Sequence, residues 1–365
     1  MDKILILTNS IDGLFSFRKE VVTAILSNGY NVYISVPKGN TEKEDYFIKL
    51  GCKINHQNID RRGTNPLHDF SLFLSYMKLI KSIQPSLILT YTIKPNIYGG
   101  LAARVNNIPQ LANITGLGSS INNKGITNKI ATTLYKVGLS KARTIFYQNQ
   151  SIKDFCQKNH IGNNGILLPG SGVDLKWHSF HPYPDKDNPI KFIFIGRVMK
   201  DKGIDEFITM VQKIKSKYPD IEFNILGGCE EDYRVILNKL QKNNLLHWYG
   251  AVSDVRPFIK NSHCTILPSY HEGMANVLLE SCAAGRPIIA SNINGCKETI
   301  DDGINGLLCE AKNSEDLINK VEIFINLSHK IKSEMGTAAR KKVEKEFDRK
   351  IIIDEYLKEI KKNIN

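Results

Sequence analysis

Short apolar runs of β character alternate with longer amphipathic stretches along the chain, and the alternation occurs in two successive blocks. In the first half the runs are Ile4–Leu7, Val32–Val36, Leu87–Leu89, Gln110–Ile114 and Thr144–Tyr147, with stretches such as Ser71–Ile83 between them at helical spacing. The pattern restarts at Ile190–Ile195 and continues through Ile221–Leu226, Cys264–Leu267 and Ile288–Ala290. Strands that follow one another through helical crossovers pair in parallel and need helices on both faces of their sheet. The predicted class is therefore α/β, with two doubly wound, Rossmann-like domains. A length of 365 residues agrees with two domains. The polar segment His178–Asn188, with two prolines and no apolar period, reads as the joint between them. The expected division is a first domain at 1–175, a linker at 176–189, a second domain at 190–345 and a C-terminal helix at 346–365 that can cross back to the first domain. In open parallel sheets ligands bind beyond the carboxyl ends of the strands, so two such sheets facing one cleft suit group transfer.

The net charge of +12 sits almost entirely in the first half. Residues 1–173 hold 20 Lys and Arg against 9 Asp and Glu, and Ser71–Lys153 holds ten basic residues and no acidic one. Such a field attracts something anionic: nucleic acid, acidic lipid or a diphosphate. Aromatic and basic residues do not interleave as in RNA-binding surfaces, so a nucleic-acid partner is not expected. The seven cysteines contain no CxxC pair, which fits reduced thiols in a cytoplasmic protein better than a disulfide or zinc framework. No run approaches the roughly 20 apolar residues that span a bilayer, and the opening MDKILILTN reads as a strand, not a secretory leader.

Two motifs carry the chemistry. The strand Phe192–Ile195 runs into Gly196, Arg197 and Lys202, which puts two cations beyond its carboxyl end. They can neutralise two phosphates, although a solvated basic pair in a loop would look the same. Downstream, HEGMANVLLESCAAGRPIIAS places Glu272 just before the helical stretch Ala275–Ala284 and Glu280 about two turns along it. Backbone N–H groups at the helix start, around Gly273, Met274, Ala275, Asn276 and Val277, form a site for polar or anionic oxygens. A carboxylate accepts from paired hydroxyls such as those of a ribose or a sugar ring. A dipole-stabilised Glu272 and a stray Glu280 are the ordinary alternatives.

Together these motifs, with NGCKETIDDGINGLL after them, resemble the retaining glycosyltransferases of the GT-B fold, in the bacterial family 4. The resemblance covers essentially the whole chain. It implies that Arg197 and Lys202 hold the donor diphosphate, that Glu280 binds the ribose, and that Glu272 contacts donor-sugar hydroxyls, the three residues Glu272, Arg197 and Lys202 being catalytic. Gly196 and residues 273–277 complete the donor site, Glu298 lies near the sugar, and Asn305-Gly306 reads as a simple turn. In the first half, NSIDGLFSFRKE matches a flexible glycine-bearing loop beside donor and acceptor, through Gly13, Ser16 and Arg18. TYTIKPNIYGGLAAR and NITGLGSS resemble the capsule, O-antigen and lipid-linked glycan branch, with Gly116 and Gly118 in a loop facing the donor sugar on the acceptor side. Where many relatives carry a histidine, this chain has Thr92 and Thr115. Lys94 is the candidate contact for an acceptor diphosphate, with a solvated lysine as the alternative.

The one Asp-x-Asp, Asp185-Lys186-Asp187, lies in the expected linker, and the histidines show no HxxxH or HxH spacing, so no metal and no cofactor are expected. The segment Gly125–Arg143 carries Ile126, Ile130, Leu134 and Val137 on one stripe, flanked by Lys129, Lys136, Lys141 and Arg143. It can pack on its own sheet or meet anionic lipid. The resulting expectation is transfer of a hexose or N-acetylhexosamine from a UDP-sugar to a polyprenyl-diphosphate-linked acceptor, at the inner face of the cell membrane. A sugar-nucleotide epimerase or phosphorylase of the same fold, and an RNA-binding module, are the rivals.

Overall fold

The computed structural model describes residues 1–60, 63, 65–116, 126–187, 189–229 and 232–364. It forms two compact units, residues 1–171 with 350–365, and residues 172–349. The first contains β1 (Lys3–Leu7), β2 (Asn31–Val36), β3 (Lys53–His56), β4 (Leu87–Tyr91), β5 (Gln110–Ile114), β6 (Thr144–Tyr147) and β7 (Gly165–Leu167). These make a seven-stranded sheet in the order β3-β2-β1-β4-β5-β6-β7, parallel at every pairing.

The chain steps outward from β1 to β3, then returns to β4 and steps the other way. Right-handed crossovers therefore put α1 (Ile11–Ser27) and α2 (Thr41–Lys49) on one face of the sheet. On the other face lie α3 (Pro66–Ile83), a π-helical turn (Pro95–Gly99) leading into α4 (Gly100–Val105), α5 (Ile126–Leu139) and α6 (Gln150–Lys158). Strand β1 shows the consequence. Ile4 and Ile6 join Leu14, Val21 and Val22 of α1 in one core, while Leu5 and Leu7 join Leu72, Tyr76 and Ile80 of α3 in the other. Helices α1 and α3 are both capped at their first turn: Ser10 accepts from the Gly13 amide, and Asn65 caps α3 ahead of Pro66.

The second unit repeats the plan with β8 (Lys191–Ile195), β9 (Glu222–Leu226), β10 (His247–Trp248), β11 (Cys264–Leu267), β12 (Ile288–Ser291) and β13 (Gly306–Cys309). Their order is β10-β9-β8-β11-β12-β13, again all parallel. The helices are α7 (Ile204–Lys217), α8 (Arg234–Lys242), α9 (Arg256–Asn261), α10 (Asn276–Ala283), α11 (Ser314–Asn326) and α12 (His329–Glu346). The last helix, α13 (Arg349–Ile364), returns to the first unit and buries Ile352, Tyr356 and Ile360 in the α1 face of its core. The Tyr356 ring stacks on Phe146 at 4.5 Å and its hydroxyl donates to Asn113 Oδ1. Thr144 Oγ1 donates to the buried Glu359 at 2.5 Å.

The segment expected as the linker is fastened to the second unit. Arg286, fully buried, donates to the carbonyls of His181 at 3.0 Å and Pro182 at 2.9 Å, and also to Lys260 at 2.7 Å and Ile259 at 3.3 Å. Tyr183 adds a hydrogen bond to the His263 carbonyl. A buried guanidinium without an acidic partner is costly unless its donors are satisfied, and here backbone oxygens satisfy them. Burial still pulls its pKa down to about 10. Its removal would strand several buried carbonyls at once. Arg286→Ala should therefore lower stability by about 3 kcal/mol or more, read as a fall in the urea midpoint of the second unit. A midpoint equal to that of the parent would show that the segment is not held by this residue.

Candidate active site

In the second sheet the strand order reverses between β8 and β11, and the loops that follow these two strands are the ones that carry the sequence motifs. Such a switch point is where an open parallel sheet leaves a crevice at its carboxyl edge. After β8, the Gly196 amide still donates to Leu226 O, Arg197 is exposed, and the chain makes a 3-10 turn at Lys200–Lys202. Gly203 closes that turn at φ 71°, and a Cβ there would stand 2.0 Å from the Pro268 carbonyl. Only glycine permits both the backbone angle and the approach. The two loops are then stitched together, because Tyr270 N donates to Asp201 O at 2.9 Å and Ser269 Oγ to the same oxygen at 3.2 Å. Tyr270 is itself anchored through its hydroxyl to the buried Glu206 carboxylate, at 2.8 and 2.9 Å.

That clamp brings the two motifs into contact. Lys202 Nζ lies 2.5 Å from Glu272 Oε1, with both side chains largely shielded from solvent. A shielded pair of this kind holds each partner's geometry well while adding little net stability. Glu272 is braced from behind by Gly295, at φ 88°, where a Cβ would fall 2.5 Å from the Glu272 carbonyl oxygen. Gly295 O accepts from Ala275 N at 2.8 Å, and its own amide donates to Glu298 Oε2 at 2.7 Å. Glu298 thus serves as a staple of this loop. Asn305, fully buried, bonds Asp301 N and Thr299 O as a turn residue should.

Beyond Gly273 and the buried Met274, α10 starts at Asn276 behind Ala275, with no side chain capping it, which leaves its positive end to other oxygens. Asn276 Oδ1 is buried there with no hydrogen-bond partner, and Val277 is half-buried beside it. One turn further, Glu280 is enclosed enough that burial lifts its carboxyl to about 7, Arg349 pulling weakly the other way. A carboxyl balanced near neutrality in a crevice is a common mark of a ligand-binding group. A neighbouring loop also reaches the crevice. Gly227 and Gly228 end β9, with Val198 N donating to Gly228 O and Trp248 Nε1 to Gly227 O. They are absent from the residues expected at the site, although two glycines straight after an apolar strand are the same signal that marks Gly196.

The first unit corrects several expectations. Gly13, Ser16 and Arg18 do not lie in a flexible loop: all three sit in α1, whose Ser10 cap starts the helix at Ile11. Arg18 is buried, with its guanidinium against the Tyr91 and Tyr356 rings and Nη1 donating to Phe17 O. Lys94 is not a solvated lysine. Its Nζ lies 2.5 Å from Asp69 Oδ1, and Tyr98 donates to the other oxygen of that carboxylate. Gly116 follows β5 with open space where a Cβ would stand, and Gly118 lies outside the described residues. Thr92, at a φ of 73°, holds a left-handed angle that a β-branched residue rarely adopts. The segment with Lys129, Lys136, Lys141 and Arg143 does form α5 and its exit, and all four are exposed. Among its apolar residues, Ile130 and Val137 are 55% and 44% exposed, while Tyr135 and Leu139 supply the buried face.

Among the described residues, no helix is long and apolar enough to cross a membrane, and no cluster of His, Cys, Asp and Glu could hold a metal ion. The carboxylates of Asp185 and Asp187 are exposed.

Residues 3–149 match the family model Glycosyl transferase 4-like, and residues 176–342 match Glycosyl transferases group 1. The chain is similar to the N,N'-diacetylbacillosaminyl-diphospho-undecaprenol alpha-1,3-N-acetylgalactosaminyltransferase of Campylobacter jejuni, 26% identical over 94% of both chains. It is also 26% identical to the UDP-Gal:alpha-D-GlcNAc-diphosphoundecaprenol alpha-1,3-galactosyltransferase of Escherichia coli, over 73% of this chain and 71% of that one. Among solved structures, a glycosyltransferase from Rickettsia africae superposes with a TM-score of 0.82 at 19% identity, covering 100% of this chain and 99% of its own. Anabaena Alr3699/HepE, solved with UDP and glucose, gives 0.79 at 14% identity, covering 99% of this chain and 100% of its own. With the fold, the switch-point site and both family models in agreement, the chain belongs to the glycosyltransferases of the two-domain GT-B class.

Proposed function

We propose that this transferase moves a hexose or N-acetylhexosamine from a UDP-sugar to a polyprenyl-diphosphate-linked acceptor, with retention of anomeric configuration, on the cytoplasmic face of the inner membrane. The observation that carries the donor assignment is the Lys202–Glu272 contact at the β8/β11 switch point, beside the uncapped start of α10. A diphosphate there meets Lys202, Arg197 and the positive helix end, which together offset the charge that builds as UDP departs. Lys202 then exchanges its carboxylate partner for phosphate, and Glu272 becomes free to accept from the donor-sugar hydroxyls. Glu280 takes the ribose hydroxyls, which favour its ionised form. Support for the acceptor class comes from the two relatives named above, both of which act on sugars carried by undecaprenyl diphosphate. The basic, partly apolar outer face of α5 supports the membrane assignment. The direct test is to incubate the protein with a panel of UDP-sugars and lipid-linked acceptors and identify the product by mass spectrometry. Consumption of donor without acceptor would instead indicate an epimerase.

Donor binding should depend on two charges and on pH. Lys202→Ala removes a charge-assisted contact, which costs about 1.5–3 kcal/mol, or roughly tenfold to a hundredfold in UDP affinity by calorimetry. Since the Glu280 carboxyl sits at about 7 in the free chain and the bound ribose favours its ionised form, UDP-sugar binding should release a proton. Affinity should then fall as pH drops below about 7, by up to about tenfold per unit, and level off above it. Glu280→Gln should flatten that profile. A variant that keeps the parent's slope would assign the proton to another group.

Leaving-group charge is neutralised in this reading by Arg197, Lys202 and backbone dipoles, so EDTA should leave turnover unchanged. Loss of activity in chelator, restored by magnesium or manganese, would show that a divalent ion shares that task.

Membrane attraction through α5 should be electrostatic. Replacing Lys129, Lys136, Lys141 and Arg143 with glutamine should reduce co-sedimentation with anionic liposomes at low salt and leave UDP affinity intact. Raising salt from 0.1 M to 1 M, which shortens the Debye length from about 10 Å to about 3 Å, should weaken the parent in the same way. Parent-like sedimentation of the quadruple variant would leave α5 a purely structural helix.

A further inference from the structure

Helix α3 has three distinct sides. Leu72, Tyr76, Leu79, Ile80 and Ile83 are buried against the sheet. On the opposite side, Leu67 is 78% exposed, Phe70 59% and Leu74 44%, and Lys78 and Lys81 continue the same line toward its C-terminal end. Steps of three and four residues keep these five positions on one stripe, so an apolar patch runs into a basic one directly away from the core. The single acidic residue on α3, Asp69, is taken up by Lys94 and Tyr98. Nothing on the helix therefore opposes a negatively charged surface. Two neighbours extend the face, since α3 and α5 both pack on the π-helical turn and α4 between them. Val105 of α4 and Ile130 and Val137 of α5 are exposed as well.

The third side of α3 is a wall of a cavity of about 800 Å³. His68, Ser71 and Ser75 line it from the helix, and Lys38, His56 and Gln57 from the carboxyl ends of β2 and β3. This is the ligand edge of the first sheet, away from the residues that the sequence assigned there. Its size lies within the roughly 300–1,000 Å³ of small-molecule sites. The lining mixes amides, hydroxyls, imidazoles and the Asp60 carboxylate with apolar surface from Pro37, Ile59 and Leu72. Ser75 Oγ donates to Gln57 Oε1, and His56 Nε2 lies 3.0 Å from Glu44, so part of the lining is already oriented. Alternating donors and acceptors of this kind suit a saccharide, whose hydroxyls both give and accept.

We propose that α3 seats the lipid-linked acceptor: its polar side reads the saccharide head in this cavity, and its outer side rests on the anionic bilayer that holds the lipid. A free sugar would need no exposed apolar face, and a membrane-resting helix would need no cavity. The two sides stand no farther apart than the width of the helix, about 10 Å, so one molecule can engage both. Lys38, an exposed residue of the lining, supplies a cation for the linking phosphates. The inference rests on the functional reading above for the identity of the acceptor, but it can be tested without turnover.

Two variants test it. The outer-face variant Leu67→Ser, Phe70→Ser, Leu74→Ser should lose vesicle binding by about tenfold or more on vesicles of phosphatidylcholine and phosphatidylglycerol. That loss should persist at 1 M salt, where attraction through the α5 lysines is screened, and UDP affinity should match the parent. The cavity variant Ser71→Trp should bind vesicles normally. In saturation-transfer NMR with saturating UDP present, a panel of hexosyl and N-acetylhexosaminyl 1-phosphates should give signals with the parent that Ser71→Trp removes. An outer-face variant that binds vesicles like the parent overturns the membrane half. Absence of signal with the parent, or its survival in Ser71→Trp, overturns the saccharide half. Failure of the parent to transfer sugar to any lipid-linked acceptor, with both binding results intact, would instead defeat the functional reading.

Discussion

A parallel strand cannot turn straight back into its neighbour; the chain must cross over the sheet and begin again at the same end. All the pairings in both sheets are parallel, so every strand delivers its following loop to one edge. The right-handed crossover adds direction, and a reversal of strand order opens the crevice between two loops that leave in opposite directions. In the second unit the loops are those after β8 and β11, which lie far apart in sequence and meet because the strands between them are laid elsewhere. The positions of Arg197, Lys202, Glu272 and Glu280 follow from that topology, and the side chains only refine it.

Refinement depends on backbone more than on charge. The Lys202–Glu272 pair could form in many surface loops and would then be worth little. Here it is fixed because Gly203 lets one loop lie against the Pro268 carbonyl, and Gly295 lets another pass behind Glu272. Tyr270 and Glu206 lock the join from below. A pair held this way is oriented before any ligand arrives, which reduces the ordering that binding must still accomplish. The enclosure that orients Glu280 also raises its pKa, so rigidity and proton affinity at this site share one cause.

The sequence makes the interior of each sheet legible and leaves the edges dark. The nine strands that read as apolar runs are the inner strands of the two sheets, while β3, β7, β10 and β13, which give no such run, are their four edges. Inner strands are covered on both faces and must be continuously apolar; β3, β7 and β10 are short and partly wet, and β13 begins at a glycine that reads as a turn. The meeting of Lys202 with Glu272 has a local signal, because each lies in the loop that directly follows an inner strand. Lys94 has none, because its partner Asp69 comes from another helix and no pattern along the chain announces the pair. The family resemblance of NSIDGLFSFRKE puts Arg18 in a loop, although Ser10 offers an ordinary helix cap and the residue is helical. Arg286 gives no warning at all: its partners are carbonyl oxygens, which every residue has.

Helix α13 completes the first unit with residues that follow the whole of the second. Ile352, Tyr356 and Ile360 close a core whose strands were made far earlier, and Thr144 and Asn113 wait for Glu359 and Tyr356 as hydrogen-bond partners. On a ribosome working at about 5–20 residues per second, residues 172–349 take roughly 10–40 s to appear. During that interval α1 and α2 cover their face of the first sheet only in part, and the stretch that α13 will fill stays open. Synthesis thus reverses the usual order of maturation: the unit begun first is finished last, and the enzyme is assembled only when α13 has left the exit tunnel.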